Sequence, residues 1–188
     1  MRDDNGPIPL KVVVTGGFGV GKTTLVRVLS EIPPLLTEEP LTAASVGVDD
    51  IAAVPGKNTT TVAMDFGRIT VDDALILYLF GTPGQDRFWF MWDELARGSV
   101  GAVVLVDLRR VEDCFPAVDY CENRQLPFVV ALNDFPGTTG FSAETVREAL
   151  ALAPDVPVVR MDARSDGSCL ATIIALVEHA LERTTVAG

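Results

Sequence analysis

Gly16-Gly17-Phe18-Gly19-Val20-Gly21-Lys22-Thr23 is the stretch on which the reading of this chain turns. The octet fits G-x-x-x-x-G-K-[ST], and it lies between a strand-like run and a helix-like run, the context that the pattern requires. Upstream, Ile8 to Thr15 is almost continuously apolar and β-branched, broken by Lys11, as in a strand buried on both faces of a parallel sheet. Downstream, Lys22 to Glu31 changes to helical spacing, with Leu25, Val26, Val28 and Leu29 on one face until Pro33 and Pro34 stop it. In such a strand–loop–helix the glycines let the backbone curl, so that residues Gly16, Gly17, Phe18, Gly19, Val20 and Gly21 turn successive N–H groups toward a chain of phosphates. Lys22 is expected to reach the outer phosphates and the Thr23 hydroxyl to ligate Mg²⁺, with Thr24 lining the nucleotide pocket.

Such a loop matters more in an acidic chain. The 188 residues carry 15 Lys plus Arg against 26 Asp plus Glu, a formal net charge of −11, which argues against binding nucleic acid or an anionic membrane by charge alone. Any phosphate must therefore be held locally. A hydrophobic content of 48% with 22% charged residues is globular, and the length fits one domain over 1–188. Apolar runs such as Val100 to Val106 are too short to cross a bilayer, and Met1 to Pro7 lacks a signal peptide's apolar core, so a cytoplasmic location is expected. Cys114, Cys121 and Cys169 show no metal-binding spacing and are expected to be buried thiols.

Further along, Leu36 to Asn58 holds no period and reads as a long functional loop. Thr59 to Ile69 and Ala74 to Phe80 read as two strands around a turn at Val71-Asp72-Asp73, the one antiparallel hairpin, whose far end delivers Gly81 to the site. Val100 to Val106, Pro127 to Leu132 and Val156 to Met161 are further strand-like runs, separated by helical segments near Val111 to Asn123 and Ser142 to Leu152. A last helix is expected around Ser168 to Arg183, with His179 near its C-terminal end, where it would complement the helix dipole. These elements imply a three-layer α/β fold of the P-loop NTPase kind. Its six-stranded sheet is mostly parallel with one antiparallel hairpin strand, has helices on both faces, and binds its ligand at the C-terminal ends of the strands.

Leu79-Phe80-Gly81-Thr82-Pro83-Gly84-Gln85 follows the second hairpin strand and is similar to the third GTPase motif, Asp-x-x-Gly-Gln. With it the chain resembles bacterial Ras-like small GTPases of the Mgl type. The segments Thr59 to Gly67, Gly81 to Phe88 and Glu112 to Val118 bring it closest to the conservon GTPases of actinomycetes, often called CvnD-like. The resemblance implies a GTP-binding switch that cycles between GTP and GDP with Mg²⁺. Gly84 would donate its N–H to the γ-phosphate, and Gln85, with Lys22 the catalytic residue it implies, would orient the attacking water. Thr61 is the choice for the threonine that caps the metal, with Thr59 and Thr60 as neighbours that could take its place. The implied partners are a roadblock/LC7-type protein and a sensor histidine kinase-like protein, through which the chain would reach a membrane indirectly. Phe88-Trp89-Phe90-Met91-Trp92 supplies an aromatic run that either forms a patch for such partners or packs a switch helix into the core.

The departures from the pattern carry as much information. Gly81 stands where most Ras-like proteins have the metal-binding aspartate. Asp65, on the neighbouring strand, either helps the metal site indirectly or serves as a surface or loop anchor. Thr60 stands where some Mgl proteins have an arginine in cis, a group worth about 10³ to 10⁵ in rate, so turnover is expected to be slow, with Arg87 and Arg68 remaining as candidates. In the guanine motif Asn133 is kept but Pro136 replaces the aspartate, and Asp134 is two positions early. Asp162-Ala163-Arg164 is similar to the fifth motif, in which the Ala163 N–H would meet the guanine carbonyl. A second reading follows from these departures: a nucleotide-binding scaffold that does not cycle and has relaxed or altered base specificity between ATP and GTP. A P-loop kinase is disfavoured, because the chain has no arginine-rich lid insert.

Overall fold

The computed structural model describes residues 6–33, 37–40, 59–62, 64–83, 91–138 and 142–186, with the backbone alone at 37–40, 59–62 and 186. Strand β1 (Ile8–Gly16) leads through the glycine loop into helix α1 (Lys22–Leu29). Strands β2 (Thr37–Pro40), β3 (Thr59–Val62), β4 (Asp65–Thr70) and β5 (Leu75–Gly81) follow, then α2 (Trp92–Ala96) and β6 (Gly101–Val106). The chain continues through α3 (Phe115–Asn123), β7 (Phe128–Asn133), α4 (Ala143–Ala149), β8 (Val158–Met161) and α5 (Asp166–Val186).

The main sheet has the order β4-β5-β1-β6-β7-β8, parallel throughout except for the antiparallel β4–β5 hairpin, as expected from the sequence. β1 lies inside it, so both its faces are covered. Val12 and Val14 are buried with Leu25 and Val26 of α1 and Ile173 and Leu176 of α5, whereas Val13 is buried with Trp92, Val118 and Val146 on the other face. Two-sided burial is the physical reason that the strand reads as an unbroken apolar run. Parallel neighbours put the C-terminal ends of β1, β6, β7 and β8 on one edge, which is where the glycine loop opens.

Four local expectations are corrected. The run from Thr59 to Ile69 is two strands rather than one: β3 pairs with β2 in a separate two-stranded sheet, and only β4 joins β5. β-branched residues favour extended backbone but do not choose its partner. β2 itself falls within the stretch read as a loop, four residues being too few for alternation to show, while 41–58 lies outside the described residues. The segment before α3 begins as a 3₁₀ turn, Val111–Cys114, because Pro116 sits in the first turn of the helix proper. Elsewhere local chemistry sets the ends as read: Ser142 caps α4 by accepting from the Thr145 N–H at 3.1 Å. All three cysteines are free and buried. Among the described residues no helix is long and apolar enough to cross a membrane.

His179 is the fourth correction. α5 runs on to Val186, so the ring lies inside the helix rather than at its end. It is 3% exposed, and its Nε2 is buried without a hydrogen-bond partner. Burial lowers its pKa, with Asp155 acting the other way and Arg183 in the same sense. The neutral ring is thus favoured in the fold while the unfolded chain takes up a proton below about 6.5. Melting temperature should fall as pH drops through and below that value. A His179→Leu variant melted across pH 7.5 to 5 should show a shallower fall, and an equal slope would remove the ring as its cause.

Candidate functional site

Gly16 and Gly21 show why the loop between β1 and α1 needs glycine. Gly16 has φ +130° and a side chain there would come within 2.4 Å of the Leu105 carbonyl oxygen. Gly21, at φ +108°, would push a side chain to 2.7 Å from Asn133 Nδ2. Inside the loop, Lys22 Nζ donates to the Gly16 carbonyl at 2.7 Å and the Gly17 carbonyl at 2.6 Å, and the residue is 7% exposed. Burial pushes its ammonium down to about 8, partly countered by Asp65. The cation is therefore already gathered into the loop. Thr24 is exposed on the first turn of α1.

Thr23 identifies a residue whose role the sequence left open. Its hydroxyl donates to Asp65 Oδ2 at 2.5 Å. Asp65 opens β4 directly opposite Gly81, the last residue of β5, and a side chain at 81 would come within 2.9 Å of Asp65 Cβ. The carboxylate absent from position 81 thus arrives from the neighbouring strand, and the glycine leaves room for it. Arg68, three residues on, lies on the opposite face of β4 from Asp65. A hydroxyl and a carboxylate side by side are hard oxygen groups of the kind that suit Mg²⁺. Among the described residues no group of three or more His, Cys, Asp or Glu could hold a metal by itself. A cation here would need phosphate and water to complete its shell, which is how Mg²⁺ is commonly bound.

Asn133, at the end of β7, joins two loops. Its Nδ2 donates to the Val20 carbonyl at 2.9 Å, and its Oδ1 accepts from the Ala163 N–H at 3.0 Å, with the residue 5% exposed. The Ala163 N–H, expected to face a base, thus has a partner within the protein. Asp162 is held by Arg164, whose Nε and Nη2 lie 2.8 and 2.9 Å from its two oxygens, and this keeps its carboxyl below the usual range. Asp134 faces Arg160 at 3.6 Å, and Pro136 is exposed. Both carboxylates near the expected base site are therefore already paired with arginines.

Asp107, Arg109 and Arg110 belong to no motif legible in the sequence. Asp107 follows β6 and is 3% exposed. Arg109 grips it with Nε at 2.9 Å and Nη2 at 2.7 Å, which lowers the Asp107 pKa, and stacks its guanidinium 4.1 Å over the Phe135 ring. Arg110 Nη2 donates to the Phe18 carbonyl at 2.9 Å. The available signal was an aspartate and two arginines at the C-terminal end of a wholly buried parallel strand, where ligand loops gather. Of the other expected site residues, Thr61 lies in β3, where only the backbone is described, and Gly84, Gln85 and Arg87 lie outside the described residues. Within the aromatic run Met91 and Trp92 are each 8% exposed, in the core, while 88–90 lie outside.

Fold and loop together define a P-loop nucleotide-binding α/β protein. By sequence, the chain belongs to the family of conserved hypothetical ATP binding proteins, whose profile matches residues 14–183. An uncharacterized protein of Methanocaldococcus jannaschii, MJ1339, is 32% identical over 126 residues, covering 66% of this chain and 69% of that protein. Among solved structures, the G domain of the T. maritima FeoB iron transporter matches with a TM-score of 0.64 at 18% identity, over 92% of this chain and 99% of that one. The FeoB G domain from Methanococcus jannaschii matches with a TM-score of 0.59 at 12% identity, over 92% and 97%. At these identities the likeness is one of fold.

Proposed function

We propose that the protein is a GTP-binding switch of the Mgl and conservon type that hydrolyses its nucleotide slowly. The observation that carries this reading is the Lys22, Thr23, Asp65 and Gly81 arrangement. A cation is buried within the glycine loop, and a hydroxyl is backed by a carboxylate at the point where a β5 aspartate would otherwise stand. Lys22 neutralises the outer phosphates, and Thr23, by donating its hydrogen to Asp65, keeps its oxygen lone pairs for a cation. Magnesium bound there would supply charge neutralisation on the phosphates. Gln85 orients the attacking water, Gly84 and Thr61 respond to the γ-phosphate, and the 36–61 and 81–97 segments carry the signal to roadblock/LC7-type and histidine kinase-like partners in the cytoplasm. Identifying the nucleotide released from heat-denatured purified protein tests the reading, together with Gln85→Leu. That variant should keep its nucleotide and turn it over more slowly, and unchanged turnover would favour a scaffold that does not cycle.

Base choice is where the scaffold reading gains support. Asp162 is bonded by Arg164, Asp134 faces Arg160, and an exposed proline stands at 136, so the position that carries the guanine-binding aspartate in the motif has no carboxylate, and the family's own description speaks of ATP. GTP and ITP, which differ by that amino group, should bind within a few-fold of each other. Pro136→Asp should then favour GTP over ITP by about 10- to 100-fold, the worth of hydrogen bonds to a charged acceptor. Competition against a fluorescent nucleotide reads both, and a strong native preference for GTP over ITP would contradict the assignment.

A further inference from the structure

We propose that Arg110 is a positioning residue of the glycine loop. It holds the Phe18 carbonyl outward and so aims the next amide, Gly19 N–H, at the phosphates. This rests on the nucleotide-binding reading of the loop. A trans peptide is planar, with its C=O and N–H pointing in opposite directions, so anchoring one sets the other. Arg110 Nη2 anchors the Phe18 carbonyl at 2.9 Å, and Gly19, at φ +71°, lets the chain turn directly afterwards.

Three other carbonyls of the loop are held from within the fold. Lys22 takes those of Gly16 and Gly17, and Asn133 takes that of Val20. Phe18 has no such holder among them, and its ring, 67% exposed, cannot fix the loop by packing. Arg110 supplies the missing hold from outside. Its own place is set by two carboxylates, Asp113 at 3.4 Å and buried Asp107 at 3.7 Å. Asp107 is also what Arg109 grips while stacked on Phe135, so one buried carboxylate braces both the glycine loop and the loop after β7.

Arg110 also offsets the charge of Asp113, which lies against Gly17 closely enough that a side chain there would meet it at 2.5 Å. Loss of the hold and loss of that cover are separable. Arg110→Met in the full chain should weaken GDP and GTP binding about tenfold, in line with one hydrogen bond to a charged donor. Guanosine binding, measured by competition, and the melting temperature of the nucleotide-free protein should stay unchanged, since the side chain is 46% exposed. Arg110→Lys returns a donor and should recover most of the loss. Arg110→Met with Asp113→Asn restores the local net charge without a donor and should stay weak. Recovery in that double variant, or Arg110→Met binding GDP as the wild type does, overturns the assignment while leaving the nucleotide reading intact. A wild-type protein that takes up no nucleotide overturns the nucleotide reading and this role with it.

Discussion

Lys22→Ala should lower affinity for a nucleoside triphosphate by about 10² to 10³-fold, the range for truncating one partner of a buried charged contact. The protein as a whole repels phosphate, with a net charge of −11, so attraction has to come from the loop. Lys22 is the cation held inside it, 7% exposed and bonded to two loop carbonyls. Without nucleotide this arrangement carries a cost: burial has pushed the ammonium down to about 8, so the fold disfavours the charged form it holds at neutral pH. Lys22→Met, of similar volume, relieves that cost but leaves the Gly16 and Gly17 carbonyls without their donor, so the empty protein should gain no thermal stability, and triphosphate affinity should fall by the same factor as in Lys22→Ala. Calorimetric titration with GTP and ATP, beside melting curves of the empty proteins, reads both effects. Normal triphosphate affinity in either variant would show that the glycine loop and its lysine do not hold the phosphates, and would overturn the assigned site.

Moving the carboxylate between strands should move the metal dependence with it. Asp65→Ala removes the acceptor that Thr23 uses, and the part of triphosphate affinity that depends on Mg²⁺ should vanish. Gly81→Asp alone should not help. Its side chain would arrive 2.9 Å from Asp65 Cβ, and it would set two carboxylates against each other on facing strands, so the variant should lose stability. Asp65→Gly combined with Gly81→Asp opens that space and brings a carboxylate from β5 to the same point, and Mg²⁺-dependent binding should return. Nucleotide affinity of the four proteins, with and without EDTA, decides the matter. Retention of full Mg²⁺ dependence by Asp65→Ala would remove Asp65 from the site.

The parts of the fold that were legible are those governed by neighbours in the chain. Alternation and unbroken apolar runs disclosed β1, β5, β6 and β7 because each strand's burial is written along its own length. Thr59 to Ile69 reads as one strand for the complementary reason: both of its halves are good strand sequence, and only their partners, β2 for one and β5 for the other, divide them. On sequence alone His179 falls near a helix end, whereas its burial depends on the elements packed over it.

The same division runs through the site. Gly16 to Thr23 could be read directly, since its conformation depends on glycines in sequence and on the strand and helix that flank it. The partnership of Thr23 with Asp65, 42 positions away, was decided by the register of β4 on β5, and that of Phe18 with Arg110, 92 positions away, by the parallel packing of β6 beside β1. Local backbone preference is carried by adjacent residues and is therefore present in the sequence. Which side chain meets which across strands is set by register and packing, which exist only once the whole sheet has formed.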